Sequence, residues 1–368
     1  MTSELKYIPV YQPSLTGNEK KYVLDCLDSG WISSKGDYVH KFEKTFADSI
    51  GLKHATSVCN GTAALHLALL AAGIGEGDEV IVPTLTYIAS VNCIKYVGAT
   101  PVFVDSCKST WQIDSELLER RITSKTKAII CVHLYGGSCD MERIMEIAEK
   151  NNLYVIEDCA EAFGTQYKGR HVGAFGHIGC FSFYGNKTIT TGEGGMVVTN
   201  DQTLIDRVVH IKGQGLAAYR QYWHDVLGYN YRMTNICAAI GLAQLENSEN
   251  TLSKKLKIAT FYRENLGSLP LEFQEDGDSV ISSSWMFSIL VKDANTRDAI
   301  RNYLDAKLIE TRPIFYPVHT MPIYSDQFSR FPVAENIGWR GLNLPSWPDL
   351  SPKELKFITV SIRDFFNT

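Results

Sequence analysis

From residue 79 to residue 160 the chain alternates short apolar runs with amphipathic stretches. The runs are EVIVPT (79–84), TPVFVD (100–105), KAIICVHLYG (127–136) and LYVIEDCA (153–160), and helical periodicity fills 86–97, 114–121 and 140–150 between them. Continuous β-branched runs are strands buried on both faces, so the pattern predicts a mostly parallel sheet with helices packed on each side. Upstream, helices are expected over 16–29 and 37–50. A strand over 54–59 then leads through Asn60-Gly61-Thr62 into a helix closed by Gly73. Downstream come strands at 179–184 and 196–199, a helix at 201–211, a loop at 212–230, and one long helix over roughly 235–266. Thereafter the character changes, with strands near 284–291, a helix at 296–307, RPIFYPVH at 312–319 and a final helix at 352–365. The expected organisation is a large α/β domain over 1–250 and a smaller α+β domain over 251–368. Their boundary falls inside the long helix. No internal repeat or low-complexity segment interrupts this plan.

Composition narrows the function classes. With 368 residues, 45% of them hydrophobic, the chain has material for a large core. A net charge of −5 and the lack of a basic helix-turn-helix argue against nucleic acid and anionic membranes as partners. Nine cysteines form no CxxC pair, and Cys131, Cys159 and Cys180 sit inside apolar runs as small hydrophobes, which fits a reducing compartment. The N-terminus has no apolar signal core, and the longest apolar stretch, 63–74, is too short for a bilayer, so a soluble cytoplasmic protein is expected. The nine histidines are dispersed, without HxxxH or a Cys/His cluster, and no metal is expected.

In a parallel sheet, ligands lie beyond the carboxyl ends of the strands. Asn60-Gly61-Thr62, Thr84 to Tyr87, His133 to Gly136 and Asp158 to Glu161 all fall there. Lys187 follows the apolar run 180–184 and precedes the cluster Gly192-Glu193-Gly194-Gly195, where backbone can approach a ligand closely. Elsewhere such a lysine is a solvated surface charge; between two buried strands it suits imine chemistry. A pyridoxal 5′-phosphate (PLP) site needs a lysine, an anion cradle, a carboxylate for the pyridine nitrogen and a flat group on the ring face. The chain offers Lys187, Gly61 and Thr62 with Ser182, Asp158, and Tyr87.

The stretches NGTAALHLAL, GDEVIVPTLTYIAS, ATPVFVD, IEDCAEAFG, SFYGNKTITTGEGG, YNYRMTNICAAIGLAQL and RPIFYPVHTMP occur in that order. Together they resemble the sugar-nucleotide aminotransferases of the DegT/DnrJ/EryC1/StrS family over nearly the whole chain. The resemblance implies a type I PLP-dependent aminotransferase fold, with PLP as cofactor and pyridoxamine phosphate as its intermediate form. It also implies a homodimer or tetramer with active sites at the subunit interface. Position by position it makes Lys187 the lysine that bonds the cofactor, Asp158 the partner of the pyridine nitrogen and Tyr87 the ring-stacking group. Gly61, Thr62 and Ser182 would hold the phosphate, with Asn230 reaching it from the partner subunit. Glu161 would meet the ring 3-oxygen, where many members carry Gln or His. A branch with histidine in place of the lysine consists of dehydratases, and Lys187 sets this chain apart from it.

WISSKGDYV, GQGLAAYRQYWHDV and ETRPIFYPVHTMP most resemble members that use L-glutamate to aminate C4 of GDP-4-keto-6-deoxymannose for O-antigen polysaccharide. Trp31, Ser33, Arg232, Tyr316 and His319 are then candidates to line the sugar-nucleotide cleft. Trp31 is otherwise a lid on a core, Arg232 a structural pair and His319 a satisfied core histidine. Two other readings stay open: a family member acting on a UDP- or dTDP-linked keto-sugar, and a non-catalytic regulator that keeps the fold.

Overall fold

In the computed structural model, which describes residues 6–326 and 328–367, the apolar runs form one seven-stranded sheet. Two helices precede it, α1 (Glu19–Ser29) and α2 (Asp37–Ile50). The first five strands are β1 (His54–Val58), β2 (Glu79–Pro83), β3 (Thr100–Val104), β4 (Thr126–Val132) and β5 (Tyr154–Asp158). A small hairpin, β6 (Gln166–Tyr167) and β7 (Arg170–His171), precedes the last two, β8 (Ile178–Ser182) and β9 (Gly195–Thr199). Interleaved with these are α3 (Gly61–Ala71), α4 (Ala89–Tyr96) and α5 (Met141–Asn151), and α6 (Gln202–Lys212) follows.

The lateral order is β1-β9-β8-β5-β4-β2-β3. Pairs from β3 across to β8 are parallel, and β9 is antiparallel to both its neighbours. That single reversal brings the first residue of β9, Gly195, level with Val58 and Ser182, which end β1 and β8. Asp158 ends β5 level with Val132 and Cys180. One end of the sheet therefore gathers five strand termini.

Neighbouring residues on a strand feed opposite cores, as a two-residue period requires. Val80, Val82, Ala128 and Ile130 pack under α3, α4 and α6. Ile81, Ile129 and Cys131 pack against Ile144 and Ile147 of α5. With both faces covered, Cys131, Cys159 and Cys180 are buried.

The predicted single helix over 235–266 is two, α7 (Asn235–Glu246) and α8 (Ser248–Leu266), separated at Asn247 with φ −102° and ψ 8°. The local sequence Asn247-Ser248-Glu249-Asn250 explains the break, because such side chains bond locally and compete with helical backbone. Asn247 Nδ2 donates to Thr16 Oγ1 at 3.2 Å and Asn250 Nδ2 to Asn247 Oδ1 at 3.3 Å. The helix expected at 114–121 is two 3-10 turns, 115–117 and 119–121.

The C-terminal part contains β10 (Glu272–Phe273), β11 (Val280–Ile281), β12 (Phe287–Leu290), α9 (Ala294–Asp305), β13 (Arg312–Pro313), α10 (Pro332–Arg340), β14 (Gly341–Leu344) and α11 (Pro352–Asn367). A second sheet runs β10-β12-β14-β13, while β11 extends the β6–β7 hairpin. Tyr262, Ile289, Ile300, Leu342 and Ile358 form the core of this part, joined by Ile8 from the start of the chain. The Ile8 N–H donates to Leu308 O at 2.8 Å.

Candidate active site

Where the strand ends converge lies a cavity of about 450 Å³. Its anion-binding wall is the start of α3. Asn60 caps that helix, its Oδ1 accepting from the Ala63 N–H at 2.8 Å, and Asn60, Gly61 and Thr62 line the cavity with the positive end of the helix dipole. Gly61 is required by close approach: a Cβ there would stand 2.8 Å from the Ser182 Cβ. Gly195 has the same role on the neighbouring strand, where a Cβ would meet the Asn60 carbonyl oxygen at 2.7 Å and Phe181 O at 2.8 Å.

Lys187, Asp158 and Glu161 meet in this cavity. Lys187 Nζ is 3.9 Å from Glu161 Oε1. Burial pulls the lysine below its ordinary pKa, and the two carboxylates oppose that shift. Asp158 Oδ2 accepts from Ser90 Oγ at 2.7 Å and Oδ1 accepts from the Ala160 N–H at 3.0 Å. Burial raises the Asp158 pKa, while these donors and the Lys187 charge pull it down. Glu161 Oε2 accepts from the Tyr135 N–H at 3.0 Å. Burial pushes its pKa up to about 7, against the Lys187 charge and the Tyr135 hydrogen bond. A buried amine beside two acids, one of them poised near neutrality, is a proton-transfer arrangement.

Tyr87 and Ser182 also line the cavity, and the Tyr87 ring lies 5.5 Å from that of Phe315. Seven of the residues singled out from the sequence thus come together: Gly61, Thr62, Tyr87, Asp158, Glu161, Ser182 and Lys187. Trp31, Ser33, Asn230, Arg232, Tyr316 and His319 are not among the residues lining it within this chain. Trp31 and Ser33 are exposed, and their carbonyl oxygens accept from Asn235 Nδ2 and from the Asn235 backbone N–H. Asn230 and Arg232 are exposed and joined at 3.2 Å. Tyr316 packs on Trp339 with ring centres 4.9 Å apart. His319 is buried, its Nδ1 2.6 Å from Thr84 Oγ1 and its Nε2 3.2 Å from Glu335 Oε1. The satisfied core histidine is therefore the reading that its surroundings favour.

Several cavity residues escaped sequence reasoning. Ser90, Trp285, Arg312, Phe315 and Asn343 all line it, and Tyr135 supports it from behind. Ser90 lies inside the helix expected at 86–97, Tyr135 inside the stretch His133 to Gly136, and Arg312 and Phe315 inside RPIFYPVH, but nothing local in those stretches singles them out. The sheet also unites His133, Glu157 and Cys159, with ligand atoms within 4.8 Å, although no such cluster shows in the sequence. Adjacent strands β4 and β5 create it. His133 Nδ1 accepts from the Cys139 N–H, so Nε2–H donates to Glu157 Oε2 at 3.0 Å. Glu157 further accepts the N–H groups of Gly173, Phe175 and Gly176, so these atoms already satisfy one another.

The cavity suits a phosphorylated pyridine aldehyde. It holds an amine with depressed basicity, a hydrogen-bonded carboxylate, an aromatic wall, and a helix terminus kept open by a glycine.

Comparison with known proteins agrees. The DegT/DnrJ/EryC1/StrS aminotransferase family matches residues 13–363. GDP-perosamine synthase of Escherichia coli O157:H7 is 64% identical over 363 residues, covering 99% of this chain and 100% of that protein. GDP-perosamine synthase of Vibrio cholerae is 49% identical, covering 98% of this chain and 99% of its own length. Among solved structures, a proposed sugar aminotransferase of Streptococcus pneumoniae in its PLP form superposes with a TM-score of 0.93. It is 29% identical and covers 98% of this chain and 99% of that one.

Proposed function

The chain belongs to the DegT/DnrJ/EryC1/StrS aminotransferase family, and from that premise we propose that it moves the amino group of L-glutamate to C4 of GDP-4-keto-6-deoxy-D-mannose, giving GDP-perosamine. The observation that carries this reading is the 64% identity, end to end, with the Escherichia coli GDP-perosamine synthase. The cofactor is pyridoxal 5′-phosphate.

When bound, the cofactor supplies an aldehyde that bonds amines reversibly and a pyridine ring that accepts the electron pair left by a departing C–H proton. The residues divide the remaining work. Lys187 Nζ would hold the cofactor between turnovers; once freed it is placed to take the proton from the donor's α-carbon, and the burial that lowers its pKa favours the unprotonated amine this task needs. Asp158, fixed by Ser90 and the Ala160 N–H, would hold a proton on the ring nitrogen, and a cationic ring would in turn favour its ionised form. Glu161 would meet the ring 3-oxygen, Gly61, Thr62 and Ser182 would hold the phosphate, and Tyr87 would cover the ring. Arg312, on β13 in the cavity wall, is suited to a carboxylate of L-glutamate.

Asn230 and Arg232 serve the cavity of a second subunit in this reading, which requires at least a homodimer. Their exposure and mutual contact within one chain support that placement. The deciding experiment incubates the protein with GDP-4-keto-6-deoxymannose, L-glutamate and PLP, and identifies the product by NMR. A C4 amine on a GDP-sugar is expected. Amination at C3, or turnover only with a UDP- or dTDP-linked sugar, would displace this substrate assignment.

A further inference from the structure

We propose that Trp285 is a positioning residue for Lys187: its indole N–H holds the backbone beside the lysine, and its ring face receives the freed ammonium group. The inference rests on the reading of Lys187 as the cofactor-binding amine.

Trp285 is buried and reaches the cavity from just before β12. Its Nε1–H donates to the Asn186 carbonyl at 2.7 Å, across 99 residues of sequence. On the other side of the lysine, the Tyr11 hydroxyl donates to the Lys187 carbonyl at 2.7 Å, across 176 residues. The two carbonyls flanking the Lys187 Cα are thus pinned by side chains from opposite ends of the chain. The backbone is fixed while the four-carbon side chain remains free to swing. A lysine that alternately bonds a cofactor and shuttles a proton needs that combination.

The indole is itself held in orientation. It stacks on Tyr135 with ring centres 5.9 Å apart and planes at 9°, and Tyr135 stacks on Phe315 at 5.3 Å and 20°. The Phe315 N–H donates to the Tyr135 hydroxyl at 2.9 Å, closing the ladder.

Lys187 Nζ lies 4.0 Å from the Trp285 ring centre, within cation–π range. After accepting a proton the amine must be carried as a cation in a site whose burial opposes charge. Glu161 and Asp158 face it, with Arg312, Glu193, Tyr87 and Tyr184 on the surrounding walls. The carboxylates are proton acceptors as well as counter-ions, whereas the indole face attracts the cation without competing for its proton. Trp285 therefore steadies the ammonium without taking its proton.

The test uses apoenzyme carrying Trp285→Phe, which keeps a ring and loses the N–H, and Trp285→Leu, which loses both. Trp285→Met replaces the latter if it does not fold. Covalent capture of added PLP at Lys187 is followed by absorbance and borohydride trapping as a function of pH. Capture requires the neutral amine, so its midpoint reports how strongly the cavity holds the ammonium. Removing the ring face destabilises the cation and lowers the midpoint, by about 0.5 to 1 unit in Trp285→Leu and by no more than about 0.3 unit in Trp285→Phe. Trp285→Phe is expected to slow the half-reaction with L-glutamate about tenfold through loss of the carbonyl anchor. Lowered thermal stability with unmoved midpoints, equal shifts in both variants, or an unchanged Trp285→Phe half-reaction would overturn the assignment. Failure of the wild-type chain to capture PLP would overturn the cofactor reading and this inference with it.

Discussion

Replacing Glu161 by glutamine tests the electrostatics of the cavity without altering its shape. In the apoenzyme, burial lifts the Glu161 pKa from 4.5 to about 7. A carboxyl whose folded pKa is raised binds its proton more tightly in the native than in the unfolded chain. Its stabilising contribution is complete below the unfolded value and is lost as pH climbs through the folded value. Between pH 5 and pH 8 the loss comes to about 2–3 kcal/mol, since each pKa unit is worth roughly 1.4 kcal/mol. Glutamine keeps an oxygen for the Tyr135 N–H and has nothing to titrate, so Glu161→Gln removes this slope. Urea unfolding of the two apoproteins at pH 5, 6, 7 and 8 measures it directly. Wild type should weaken across the range relative to Glu161→Gln by about that amount. Parallel profiles would show that Glu161 ionises as an ordinary surface acid does, and the burial argument would fail.

Other substitutions separate the remaining roles. Ser90→Ala deletes a hydrogen bond to a buried carboxylate, worth about 1.5–3 kcal/mol for a charged acceptor. Single-turnover reaction with L-glutamate should slow by roughly 10- to 100-fold, and urea unfolding of the apoprotein should show a loss of up to about that energy. Gly61→Ala places a Cβ 2.8 Å from that of Ser182, so dialysis should strip the cofactor from this variant and not from wild type. Arg312→Gln should raise KM for L-glutamate by about tenfold or more while the second half-reaction, started from pyridoxamine phosphate and keto-sugar, keeps its rate. An unchanged KM would remove Arg312 from the donor site.

The parallel part of the sheet was legible because β2, β4 and β5 are largely apolar runs buried on both faces. Asp158 and the Gly61-Thr62 turn were legible for the related reason that strand ends and helix starts can be read locally. What lay beyond reach depends on contacts between distant segments. Ser90 matters because it meets Asp158 across 68 residues, and Trp285 because it meets Asn186 across 99. No local pattern encodes either. The break at Asn247 was hidden for a different reason: apolar residues continue on both sides, and the polar side chains of Asn247 and Asn250 outweigh them only once tertiary partners such as Thr16 are present. His319 illustrates the converse. A histidine in a promising stretch is spent on Thr84 and Glu335, and only their positions in space reveal it.

Most depends on one covalent bond. Protein loaded with PLP should be reduced with borohydride, digested and mapped by mass spectrometry. A single pyridoxyl label is expected, on Lys187, and none in Lys187→Ala. A label on another lysine, or an unlabelled protein at full cofactor occupancy, would contradict it.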